Sequence, residues 1–339
     1  MRPLLFTIPI PRIITIPVRA YGFMVMVGCL AAVLVALRIA RRERVDRNTI
    51  WDIWIWSLIG GFAGARAFYV YLFWPQFKGD LLSVLFIWQG GLAFQGGLVA
   101  ALVAVYIYLK SKRLSVAKYL DIIAAGVILG YGFARVGCFL NGCCHGRVTE
   151  FPWAVTYPAA APIDAKGTLR LSPAYAAQVE GKSVPIPERL AQSPACKGRV
   201  KDGRLIDTYP AWLAAGGKGE MPRSCPVHPT QLYAAGAALL IFFILLAYYN
   251  LPRHVGQVIS LFGVLYAVYR FIVEFFRGDS SRLLAGLTLY QLLSIGIFIG
   301  FGAAWLYCQK HMPKYVPPGS RERESAAARG AKGTASSKV

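Results

Sequence analysis

The chain has 339 residues, 56% hydrophobic and 13% aromatic but only 16% charged, and its formal net charge is +21. A soluble globular domain carries roughly 25% charged residues, and a disordered basic tail of the kind that binds nucleic acid is poor in aromatics and aliphatics. Both classes are excluded, no nucleic-acid partner is expected, and a mean hydropathy of +0.48 leaves a polytopic membrane protein with a positive bias.

Residues 1–20 are apolar but hold Pro3, Pro9, Pro11 and Pro17, a density that no helix interior tolerates. They read as an interfacial segment and lack the pattern of a cleaved signal peptide. Crossing a bilayer core of about 30 Å takes about 20 apolar residues. Seven segments meet that length, at about 19–38, 52–74, 90–109, 118–139, 231–250, 256–276 and 287–307. Three of them carry Arg66, Arg135, and Arg270 with Glu274, which belong in a bundle interior or a polar cavity because an ionisable residue in a span costs about 2.5–3.5 kcal/mol.

Alternate loops carry the positive charge. Arg38, Arg41, Arg42, Arg44 and Arg47 follow the first span; Lys110, Lys112, Arg113 and Lys118 follow the third; Arg253 follows the fifth, and a Lys/Arg-rich tail the seventh. The opposite loops hold Lys78, and Arg277 with Arg282. The positive-inside rule therefore predicts an outer N-terminus and a cytoplasmic C-terminus. The expected organisation is an all-α polytopic membrane protein with seven transmembrane helices and a small extracytoplasmic head. Residues 1–139 would form the interfacial segment and the first four spans, 140–229 the head, 230–309 the last three spans, and 310–339 a basic disordered cytoplasmic tail. The head, Pro-rich and without a spanning run, reads as short strands and loops, with EFPWAVTYP (Glu150–Pro158) as an edge strand.

Of seven cysteines, Cys29 and Cys308 read as small apolar fillers, while Cys196 and Cys225 share the head, where a disulfide between them is one of two open readings. Cys138, Cys143, Cys144 and His145 cluster at the end of the fourth span. The vicinal pair does not match the spacing of structural zinc sites, so the cluster reads as close packing and no metal is expected.

Glycine-rich segments in a membrane protein allow the backbone to line a cavity. WQGGLAFQGGL (Trp88–Leu98) brackets Gln95 with two Gly pairs, and RVGCFLNGCCHGR (Arg135–Arg147) sets Gly137, Gly142 and Gly146 beside Arg135 and Asn141. In LYAVYRFIVEFFRGDSSR, Tyr266, Arg270 and Glu274 recur every four residues on one helical stripe, with Arg277 near the next turn. A salt bridge within that helix would neutralise one Arg and leave Arg66 and Arg135 calling for an anion, for which a lipid phosphate suits the guanidinium fork.

On these residues the chain resembles the prolipoprotein diacylglyceryl transferase family, bacterial inner-membrane enzymes. The matching segments, in order, are AYGFM (Ala20–Met24), GARAFYV (Gly64–Val70), GGLAFQGGL, RVGCFLNGCCHGR, HPTQLY (His228–Tyr233), YRFIVEFFR (Tyr269–Arg277) and QLLS (Gln291–Ser294). The resemblance implies transfer of the diacylglyceryl group of phosphatidylglycerol to the lipobox cysteine of a prolipoprotein signal peptide, forming a thioether and releasing glycerol 1-phosphate. Its partners would be those two substrates and membrane lipid, with no cofactor. Carried over by position, Arg135 and Arg270 bind the phosphate and stabilise the leaving group. Gln95, Tyr266 and Glu274 complete the catalytic set, and Tyr21, Arg135, Cys138, Asn141, Gly142, Gly146 and Arg277 the substrate-binding set.

Two positions depart from the family pattern. Gln95 stands where the family's FHGG motif has histidine, and Cys138 where RxGNF has asparagine. Gln cannot act as a base near neutral pH, so Gln95 is expected to position a lipid or peptide amide, the thiol proton passing to water, to the substrate phosphate or to His145. The alternatives are a catalytically altered paralogue that binds lipid or signal peptide, and an anion or lipid transporter along the intramembrane arginines. P-loop, HExxH and GxGxxG patterns are absent.

Overall fold

The computed structural model describes residues 4–315 apart from 11–13, 80, 87–90, 163–168, 182–184, 279–281 and 285. The tail beyond 315 and the start of the WQGG segment lie outside the described residues. Among the described residues, seven helices are long and apolar enough to cross a membrane, at the positions expected from hydropathy with shifts at their ends.

The first 19 residues hold a hairpin, β1 (Leu4–Ile10) paired antiparallel with β2 (Ile14–Arg19). Pro9 and Pro17 are compatible with this two-stranded ladder, whose edges have no further strand partner among the described residues. Helix α1 (Ala20–Arg42) runs past its apolar stretch, where Arg41 and Arg42 in the last turn complement the helix dipole. Helix α2 (Arg47–Leu72) starts at Asp46, whose carboxylate accepts from Asn48 N at 3.1 Å. Helix α3 (Phe94–Ser111) begins four residues later than hydropathy suggests. Gly91 has φ +76°, a left-handed turn, and Ala93 N donates to Ala65 O at 3.0 Å, so the chain is tied to α2 just before it coils. Helix α4 (Val116–Asn141) stops at Gly142, whose φ of +75° forms a left-handed cap that a side chain would strain.

Close backbone approach sets the packing of these four. A Cβ on Gly28 of α1 would sit 2.8 Å from Gly130 O of α4, and one on Gly64 of α2 would sit 2.7 Å from Gly96 O of α3. Small residues are the usual means of association in lipid, where hydrophobicity does not drive helices together.

The connection from Gly142 to Pro229 is the head. It carries β3 (Ala160–Pro162) paired with β4 (Leu169–Leu171), then three short helices: α5 (Pro173–Val179), α6 (Glu188–Ala191) and α7 (Tyr209–Ala214). The expectation of strands and loops alone is corrected. Ser172 accepts from Tyr175 N at 3.2 Å and Pro173 opens the turn, an N-terminal helix signal legible in SPAYAAQV. The expected edge strand reduces to isolated bridges of Val155 to Val227 and Pro158 to Arg223, because Pro152 and Pro158 interrupt the ladder. Cys196 and Cys225 are bonded, closing 29 residues of chain beside buried Tyr175, Ile186 and Leu205.

Helices α8 (Thr230–Tyr249), α9 (Gln257–Glu274) and α10 (Leu289–His311) complete the bundle. Helix α4 lies at its centre, touching α1, α8 and α9, while α2 pairs with α3 and α10 with α9. At the end of the bundle where α9 starts, α4 supplies the missing cap: Asp121 accepts from Gly256 N at 2.7 Å and Ile259 N at 2.9 Å. Arg253, counted above with the loop charges, is buried there. It pairs with Glu43 at 3.1 Å and lies between the rings of Tyr249 and Tyr315.

Candidate functional site

At the opposite end of the bundle, α4 and α9 finish while α1, α8 and α10 begin, which brings these five helix termini to one end. Arg270 and Glu274 form the expected i, i+4 pair at 2.5 Å, with side chains 14% and 0% exposed. Glu274 also accepts from Thr288 Oγ1 at 3.1 Å, and Thr288 opens α10 through a reciprocal capping box with Gln291. Arg270 stacks over the Tyr290 ring at 4.6 Å. The start of α10 thereby fixes the guanidinium from two directions.

Arg135 is in a different state. It lies over the Tyr131 ring at 4.7 Å, and among the described residues it has no carboxylate partner. Tyr131 and Tyr269 share a hydrogen bond of 2.7 Å, and Tyr266 meets both rings edge-on with centroids 5.8 Å away. Tyr266 is within electrostatic reach of both Arg135 and Arg270. Two guanidinium groups beside this group of tyrosine rings set positive charge against apolar surface, an arrangement suited to an anion on an apolar stem.

Of the remaining expected residues, Tyr21 on α1 packs beside the end of α4, within electrostatic reach of Arg135. A Cβ on Gly137 would lie 3.2 Å from Tyr21 Cα, so glycine allows that approach. Asn141 is the last residue of α4, within electrostatic reach of Cys143. Gly142 and Gly146 act through the backbone. Gly142 caps α4, and Gly146 donates to His228 O at 2.9 Å and pairs with Arg277, leaving no room for a side chain. Arg277 follows the end of α9, its carbonyl accepting from Arg147 Nε at 2.8 Å. Gln95 stands apart from this group, exposed on the first turn of α3 and without a hydrogen bond to any described residue.

Two readings change. Arg66 carries no unsatisfied charge into an anion path. Its guanidinium donates to Val84 O at 2.7 Å, Ser83 O at 2.6 Å and Gly91 O at 3.1 Å, and packs on Tyr69 and Phe77, so it anchors the chain after α2. The packed cysteines form one group: the sulfurs of Cys138, Cys143 and Cys144 all lie within 4.8 Å of one another. His145 is buried, with Nδ1 3.1 Å from Gly146 O. His228, beside the start of α8, bonds Tyr233 OH at 3.1 Å among aromatic rings, and burial holds its imidazole below the usual range.

Sequence reasoning missed Tyr131, Tyr269, Tyr290 and Thr288. Tyrosines are frequent throughout this chain, and only their meeting across 138 residues marks this pair. Thr230 and Gln231, quoted above within HPTQLY without a role, hold the loop after α4, donating to Cys144 O at 2.8 Å and Cys143 O at 2.7 Å. A cavity of about 540 Å³ among α1, α2, α3 and α4 is lined by residues such as Val33, Ile53, Leu102 and Val127 in the other half of the bundle. Its lining is mostly hydrocarbon, with Ser57, Trp54 and Tyr106 as its polar side chains.

Fold and site together define a multi-pass membrane protein with two arginines and a group of tyrosines gathered at one end of its helical bundle. The model of the family described as prolipoprotein diacylglyceryl transferase matches residues 9–307, and the chain belongs to that family. It is 30% identical over 285 residues to the phosphatidylglycerol–prolipoprotein diacylglyceryl transferase of Finegoldia magna, covering 84% of this chain and 88% of that one. It is also 30% identical to the enzyme of that name from Photorhabdus laumondii, covering 87% and 90%, and 29% identical to that of Escherichia coli O1:K1, with the same coverage.

Proposed function

We propose that this chain transfers the diacylglyceryl group of phosphatidylglycerol to the lipobox cysteine thiol of prolipoproteins, forming a thioether and releasing glycerol 1-phosphate. The observation that carries the reading is Arg135, a guanidinium without a carboxylate partner among the described residues, facing an aromatic wall shared with the Glu274-held Arg270. In a water-poor site such a charge is strongly stabilised by an anion, and it stabilises best the anion whose charge grows as the C–O bond to phosphate breaks. Arg270, oriented by Glu274 and Thr288, would meet the same phosphate, and the phenols of Tyr21 and Tyr266 its oxygens. The acyl chains stay in the bilayer while the thiol attacks at its surface. The start of α1 and the head would face outward and the C-terminus the cytoplasm, supported by the Lys and Arg residues of the loops after α1 and α3 and by Arg253 after α8. Gln95, exposed at the mouth of α3, would contact a peptide or lipid amide.

The test uses purified protein, phosphatidylglycerol vesicles and a lipobox peptide, with the mass gain of a diacylglyceryl group on the peptide cysteine as readout. Arg135→Ala is expected to lower turnover by about 100- to 1,000-fold, the cost of one transition-state donor. Lipid binding without a modified peptide in the unaltered protein rejects transfer and leaves a lipid- or peptide-binding module.

A further inference from the structure

The three clustered sulfurs carry an inference that rests on the transferase reading and supplies the step it lacks, activation of the thiol. Cys138 is the fourth-last residue of α4 and is buried. After the Gly142 cap the chain turns back, Cys143 N donating to Cys138 O at 3.2 Å. Neighbouring side chains normally diverge, but Cys144 has φ +59°, a left-handed conformation that L residues rarely adopt, and its sulfur comes round to join the other two. The backbone at both positions is held from α8 by Thr230 and Gln231, the kind of outer support that fixes ligands in place. Metal–sulfur bonds of about 2.3 Å put the sulfurs of a tetrahedral site about 3.8 Å apart, so the widest pair here needs to close by about 1 Å at most. No histidine or carboxylate among the described residues joins the group. Three ligands and one open position is the pattern of a catalytic zinc site, as distinct from a closed structural one.

We propose that Cys138, Cys143 and Cys144 bind one Zn²⁺ and that the lipobox thiol of the prolipoprotein occupies the fourth position. Coordination breaks the S–H bond of the incoming cysteine, its proton leaving to water, and holds the sulfur as a thiolate. That sulfur forms the new bond to the terminal glyceryl carbon while the C–O bond to phosphate breaks. The departing oxygen keeps the electron pair, glycerol phosphate leaves, and water takes the open position once the neutral thioether dissociates. No electron is exchanged with any other species. Four thiolates on one Zn²⁺ leave a net charge of −2, which favours the nucleophile, and Arg135 and Arg277 lie within electrostatic reach of Cys144 to compensate it. The position that Gln95 leaves without a base is thus bypassed: the metal, not a side chain, displaces the proton.

The experiment uses the full chain in detergent and in phosphatidylglycerol vesicles. After exposure to Zn²⁺ and desalting, elemental analysis is expected to find about one ion per chain. Cys143→Ser should weaken zinc binding by at least the roughly 10- to 100-fold that losing an outer-shell partner costs, and Cys29→Ser, remote from the cluster, should leave it unchanged. With Co²⁺ in place of zinc, the thiolate-to-metal absorption should change on adding the lipobox peptide and stay constant with its Cys→Ser analogue. Turnover should fall with a chelator and return with Zn²⁺. Full turnover in metal-free protein, or a disulfide among the three cysteines in active protein, overturns the inference and leaves the transferase reading standing. A zinc-loaded chain that shows no turnover, yet whose cobalt spectrum responds to the thiol, supports the metal site and removes the transferase reading instead.

Discussion

Removing Glu274 strands the Arg270 guanidinium. The pair lies 2.5 Å apart with the carboxylate fully buried, and Glu274 also anchors Thr288 at 3.1 Å at the start of α10. At an effective dielectric of about 20, opposite charges roughly 4 Å apart attract by about 4 kcal/mol, and the Thr288 bond to a charged acceptor adds about 1.5–3 kcal/mol. Desolvation opposes both gains, so the measurable quantity is the cost of breaking the pair. Leaving one buried charge unpaired typically costs about 3–5 kcal/mol, whereas replacing both partners by apolar groups is often near neutral. Glu274→Ala and Arg270→Met should each destabilise by about that amount, measured by detergent titration in mixed micelles. The double variant Arg270→Met with Glu274→Leu should recover most of the loss. Turnover separates structure from chemistry, because the double variant should regain stability without regaining transfer. Recovery of transfer in the double variant would show that Arg270 only holds the helix, and a loss below about 1 kcal/mol for Glu274→Ala would show that the pair is solvated as a surface bridge is.

Arg66→Met should destabilise by several kcal/mol, at about 1.5–3 kcal/mol for each of the carbonyls of Ser83, Val84 and Gly91 it leaves without a charged donor, with lipid binding by the folded fraction unchanged. Altered lipid binding by folded Arg66→Met protein would return Arg66 to an anion path. The pH dependence of stability follows from His228. Burial lowers its pKa in the fold relative to an unfolded value of about 6.5, so between the two values the unfolded chain binds more protons and stability rises with pH. Its contribution is complete above about pH 6.5 and lost as pH falls towards the folded pKa. Thermal midpoints from pH 7.5 to 5 should therefore fall in the unaltered chain and flatten in His228→Phe; parallel curves would contradict this assignment.

Much of this protein was legible as a string. Seven spans, the Arg270–Glu274 spacing, the proline-rich start and the ordered family segments all depend on windows of about 20 residues or fewer. The head was less legible because its helices are one or two turns long, and so short a period is hard to distinguish from loop. The site was legible in its residue types and not in their relations. Gly142 and Gly146 were expected to bind substrate, and they serve first as a cap and as a point where three chain segments cross.

The three intramembrane arginines divide what the sequence determined from what only the tertiary structure decided. Composition showed that each is costly in a bilayer, because insertion responds to each span's own residues and to one solvent. Which charge is compensated is settled by groups remote along the chain. Arg66 meets carbonyls 17–25 residues on, and Arg270 meets a carboxylate one turn away that α10 then secures. Arg135 meets an aromatic wall drawn partly from α9 and no carboxylate among the described residues. The same holds for the cysteines, since a left-handed turn at Cys144 makes one cluster of three sulfurs that spacing alone had set aside. Hydropathy is additive along the chain and survives without a fold, whereas the pairing of buried polar groups depends on which surfaces pack together.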